Sequence, residues 1–147
     1  MMSTATAITG TTARIPALSR PVAVFGAIGA ALLANVLVWL IGAAAGGTFE
    51  MTDAGQTASV APGGIIVLTI VPLLIGLGAA ALLSYKWVGV LRVAAVVGSV
   101  LAVGTIAMTI SADFDTASTI ALSVTHLTLV PALVVATEGL RRKLIEG

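Results

Sequence analysis

Four long apolar runs separated by short polar breaks dominate the chain. They extend from Val22 to Ala45, from Gly63 to Leu83, from Val93 to Ile110 and from Ala117 to Thr137. A helix needs roughly 20 apolar residues to cross about 30 Å of hydrocarbon, and every run is close to that length. The pattern predicts an all-α membrane protein, a four-transmembrane-helix up-down-up-down bundle with spans at about 22–45, 63–83, 92–110 and 117–138. The longest break, Gly46 to Pro62, holds two short alternating stretches, Thr48–Thr52 and Gln56–Val60, around Asp53-Ala54-Gly55. That arrangement predicts a short β-hairpin between the first two helices, with Gly55 in the left-handed conformation. Such a hairpin needs to lie on the helix ends to be ordered, as a lid over the outer mouth of the bundle.

Charge orients the bundle. All seven basic side chains fall on one side of this topology: Arg14 and Arg20 before the first run, Lys86 and Arg92 between the second and third, and Arg141, Arg142 and Lys143 after the fourth. The other two connections carry only acids, Glu50 and Asp53 in one and Asp113 and Asp115 in the other. Short loops rich in Lys and Arg stay in the cytoplasm, so both termini are expected inside. Tyr85 and Trp87 join Lys86 in the inner turn as interface anchors, and Arg92 snorkels from the start of the third span. Arg141, Arg142 and Lys143 anchor the end of the fourth. Basic residues spread over three segments serve orientation, so no nucleic-acid partner is expected.

Apolar residues make up 59% of the 147 and charged residues 9%, far from the balance of a soluble domain. The expected organisation is a disordered cytoplasmic tail at 1–20, rich in Ser, Thr and Ala, a transmembrane domain at 21–143 and a short tail at 144–147. Pro21 suits the first turn of a helix. The first run exceeds the roughly 7–15 residues of a signal-peptide core, so it reads as a retained span. The absence of cysteine excludes disulfides, thiol relays and thiolate metal sites.

Helices in lipid approach through small residues, and the chain supplies them every fourth position. Gly26, Ala30 and Ala34 mark the first span, Gly76, Ala80 and Ser84 the second, Ala94, Gly98 and Ala102 the third, and Ala117, Ala121 and Thr125 the fourth. The polar positions at depth say more. Asn35, Pro72, Ser99 and His126 fall at one level when counted from the outer helix ends, roughly 14–16 Å down at about 1.5 Å per residue. They predict a buried polar layer. Pro72 frees the carbonyl of Leu68 and is expected to kink its helix, with Thr69 and the side chain of Asn35 or His126 satisfying exposed backbone groups. An ionisable residue at such depth invites a functional reading, a small-ligand or proton site, against a plain packing contact.

Other chemistry is missing. A single histidine cannot give bis-histidine haem ligation, and no midplane carboxylate completes a metal site, so neither metal nor cofactor is expected. No phosphate loop, Ser–His–Asp set or in-span acid pair is present. The acidless first span also argues against small four-span multidrug exporters.

The run Gln56-Thr57-Ala58-Ser59-Val60-Ala61-Pro62 leads straight into the second span, followed by the basic-aromatic inner turn, His126-Leu127 in the fourth span and a closing Arg141-Arg142. In these features the chain resembles an uncharacterised family of small four-span membrane proteins from actinobacteria, over about Pro21 to Lys143. Its inner turn at Ser84–Trp87 is shorter and less Arg-rich than that family's. The resemblance implies topology and a bacterial inner membrane, and no reaction. The expected function is therefore non-enzymatic, an accessory or scaffold subunit packing against membrane partners. The alternatives are a homo-oligomeric transporter or channel using the Asn/His layer, and a lipid- or quinone-binding membrane protein.

Overall fold

The computed structural model describes residues 14–53, 55–60 and 62–147. It comprises helix α1 (Arg20–Ala44), strands β1 (Glu50–Asp53) and β2 (Gln56–Ser59), and helices α2 (Pro62–Leu83), α3 (Val90–Ser111) and α4 (Thr116–Glu146). All four helices are long and apolar enough to cross a membrane.

The helix ends follow from local chemistry. Pro21 occupies the first turn of α1, where its missing N–H is no loss. At the other end Gly46 takes φ 93°. The Gly46 N–H then donates to Ala43 and the Gly47 N–H to Gly42, closing the last carbonyls of the helix. α3 ends where Ala112 turns extended, and Asp115 caps α4 by accepting from the Ser118 N–H at 2.9 Å. α4 continues well past the expected end of the fourth span, so residues 144–146 are helix rather than tail. Hydropathy stops at Thr137, but Glu138 pairs with Arg141 and Arg142 with Glu146, at i,i+3 and i,i+4 spacings that favour continued helix.

The expected hairpin is present as β1 and β2, antiparallel, with Glu50 opposite Ser59 and Asp53 opposite Gln56. Gly55 sits at its turn with φ 79°. Residues 1–13 of the expected tail lie outside the described residues. The rest of it, Arg14–Ser19, is held in place: the Leu18 N–H donates to the Gly139 carbonyl at 2.9 Å, and the Arg142 guanidinium donates to the Ile15 carbonyl.

The helices do not pack evenly. α2 lies against α1, α1 against α4 and α4 against α3, while α2 and α3 meet only sparsely although they are joined by the short inner turn. The bundle is thus open along one seam. Its larger core gathers Ala23, Ala27 and Ala31 of α1 with Leu73, Leu77, Leu133 and Leu140 near the end that carries the basic residues. A smaller core at the acidic end joins Phe49 of the hairpin loop to Ile65, Ala121 and Leu122.

Small residues do bring helices together, though in α1 on a different face from the one expected. Gly26 and Ala30 are exposed, and the packed stripe is Ala23, Ala27, Ala31 and Asn35. Asn35 decides this: burying its amide against partners turns the alanines at four-residue spacing inward with it. Gly42 marks a close approach of α1 to α4, since a Cβ there would stand 2.6 Å from that of Ala121.

Candidate functional site

The open seam forms a cleft of about 620 Å³. One wall is α2, through residues such as Thr69, Pro72 and Gly76; the other is α3, from Ala94 to Thr109; α4 forms the floor with Thr125, His126 and Leu133. Val60 and Phe114 close it towards the acidic end. Ala94 and Thr109 lie fifteen positions apart on α3, so at about 1.5 Å per residue the cleft is an elongated groove roughly 22 Å long. Most of its lining is apolar.

Part of the predicted polar layer assembles on its wall. The Asn35 amide donates to Thr69 Oγ1 at 2.9 Å, and the Thr128 hydroxyl donates to Asn35 Oδ1. Asn35 and Thr69 are each only 3% exposed, so this trio ties α1, α2 and α4 together at mid-depth. His126 lines the same cleft half-buried, but its Nδ1 lies 2.7 Å from the carbonyl of Leu122, one turn back in its own helix. It does not reach Asn35. Ser99 stays apart: it does not line the cleft, and its buried hydroxyl finds no hydrogen-bond partner among the described residues. Pro72 sits inside a helix that continues through it and faces the cleft. The expected rescue of the Leu68 carbonyl does not occur, because the Asn35 amide goes to a hydroxyl and the histidine to its own backbone.

Thr128 is the member of the trio that sequence reasoning missed. Threonine is unremarkable in an apolar helix, and only its depth, close to that of Asn35, could have marked it. The other threonines at the cleft spend their hydroxyl protons locally: Thr105 donates to Ala102, Thr109 to Thr105 and Thr125 to Leu122.

At the acidic end a second cluster fixes the entry into the hairpin. Asp115 accepts from Thr48 N–H at 3.0 Å, from Thr48 Oγ1 at 2.9 Å and from Ser118 Oγ at 2.6 Å. Ser118 Oγ in turn accepts from the Phe49 N–H at 2.8 Å. Phe49 adopts φ 55°, uncommon for a non-glycine residue, and its ring is buried against Trp39 with centroids 5.4 Å apart. The hydrogen bonds from Ser118, and then Thr48, hold the Asp115 carboxyl well below the usual carboxylate range.

The anchors gather at the opposite end. Tyr85, Lys86, Trp87, Arg92 and Lys143 are exposed, while Arg141 and Arg142 are partly covered by their ion pairs. Arg20 was not singled out as an anchor, yet its guanidinium stacks 3.6 Å above the Tyr85 ring and its Nε donates to the Ala81 carbonyl at 3.3 Å. It thereby caps the end of α2.

The match to known families covers almost all of this framework, from the Arg14–Ser19 segment to the last turns of α4. The chain belongs to the DUF6069 family. That family model, a family of unknown function, matches residues 15–143. No curated protein and no solved structure matches the chain.

Proposed function

We propose that this DUF6069 protein is a non-enzymatic membrane protein that binds a long apolar chain, of a lipid or a quinone-like amphiphile, in the cleft between α2 and α3. The cleft itself carries the reading. Its volume lies within the roughly 300–1,000 Å³ of small-molecule sites, and it combines apolar walls with a few convergent polar groups. The bundle sits in a bacterial cytoplasmic membrane of the actinobacterial kind, with its basic end and both termini in the cytoplasm and the hairpin outside, in line with the segregation of Lys and Arg.

Gly76→Phe is the decisive variant. Gly76 lines the cleft, and a Cβ there meets nothing within 4 Å, so a side chain can start there and its ring is expected to occupy the groove. Native mass spectrometry of the wild type released from nanodiscs is expected to retain one amphiphile per chain, and the variant none. Equal retention by both would sink the reading.

A second reading, the accessory subunit, is favoured by the slight burial of α3, which leaves Val96, Val100, Met108 and Ile110 on the outside of the bundle. The same spectra test it, since a stoichiometric protein partner would appear at a fixed added mass.

A further inference from the structure

The polar groups that face the cleft differ in what they can still offer a ligand. A carbonyl only accepts, so the 2.7 Å contact between His126 Nδ1 and the Leu122 carbonyl places a proton on Nδ1. In the uncharged ring Nε2 is then a bare lone pair. Among the described residues no acidic side chain lines the cleft to pair with a charged ring. The hydroxyls of Thr105, Thr109 and Thr125 have given their protons to their own helix, which leaves them as acceptors too. The remaining donors, the Thr69 hydroxyl and the second Asn35 amide hydrogen, belong to side chains 3% exposed and engaged with each other. The accessible polarity of the cleft is therefore mostly acceptor.

Resting on the amphiphile reading, we propose that the cleft selects apolar chains whose head donates an O–H, bound at His126 Nε2. An aliphatic alcohol and a quinol share that chemistry; an ether and a quinone lack it. The head would lie at the depth of His126, with the tail extending along α3 towards Ala94 and Leu133.

Two matched pairs test this on the purified full chain by native mass spectrometry titration: hexadecanol against hexadecyl methyl ether, and a decyl-substituted quinol against its quinone. The wild type is expected to bind the O–H member of at least one pair about three- to tenfold more tightly, the span of one net hydrogen bond. Preference confined to the first pair identifies an aliphatic alcohol, and preference in the second a quinol-type ring. In His126→Leu the preference should vanish while the ether still binds; should the ether be lost as well, the wild-type ratio alone decides. Equal affinities within both pairs, or a preference that survives in His126→Leu, would overturn the proposal and leave the cleft reading standing. Failure of all four probes to bind would remove both.

Discussion

Ser118 shows how much one side chain can organise. It has no exposed surface, donates to Asp115 and accepts from the N–H of Phe49, the residue that bends the chain from α1 into the hairpin. Ser118→Ala leaves that buried N–H without a partner, and thermal denaturation in detergent should show a loss of about 1–3 kcal/mol. Asp115 adds a dependence on pH. Its carboxyl is held below the ordinary range in the folded chain, so the unfolded chain takes up a proton first as pH falls. The stabilisation is complete above an ordinary aspartate pKa of about 4 and is lost progressively below it. A melting temperature followed downward from pH 5 should drop accordingly, and Asp115→Asn should flatten that drop. An unchanged slope in the variant would assign the acid sensitivity elsewhere.

Among the elements, the contact that matters most at depth joins three helices through Asn35. Removing it by Asn35→Ala leaves Thr69 and Thr128 facing one another across a gap. Since a hydrogen bond between membrane helices is typically worth about 0.6 kcal/mol and at most about 2, chemical unfolding should report a loss in that range. Much of this level was legible beforehand, because depth along a helix is counted directly from its ends. The spans, the hairpin around Gly55 and the level shared by Asn35, Pro72, Ser99 and His126 all follow from spacing alone. Angle around the helix axis does not. Ser99 has the right depth and the wrong heading, and Gly26-Ala30-Ala34 was as good a small-residue stripe as the alanines that actually pack. In a helix apolar on every side no watery face sets the heading, so partners decide it. The end of α4 escaped for a related reason: hydropathy reports where lipid ends, not where hydrogen-bonded backbone does.

At the scale of the molecule, charge is divided between the two ends: all seven basic residues and two acids at one, four acids and no base at the other. The proposed orientation can be read without disturbing this, because the chain has no cysteine of its own. A single Asp113→Cys, on an exposed loop position, should react with an impermeant maleimide in intact cells, and protection until lysis would invert the topology. The order of packing, α2 to α1 to α4 to α3, also sets the order in which the chain can assemble. Helices enter a membrane as they are synthesised, yet α1 finds its most extensive partner in α4, the last of these four to be made. Until α4 arrives, Asn35 can meet Thr69 but not Thr128, and the groove has two walls without a floor. The groove therefore comes into being only once α4 has joined the other three helices, so a chain stopped short of α4 has no complete groove to offer.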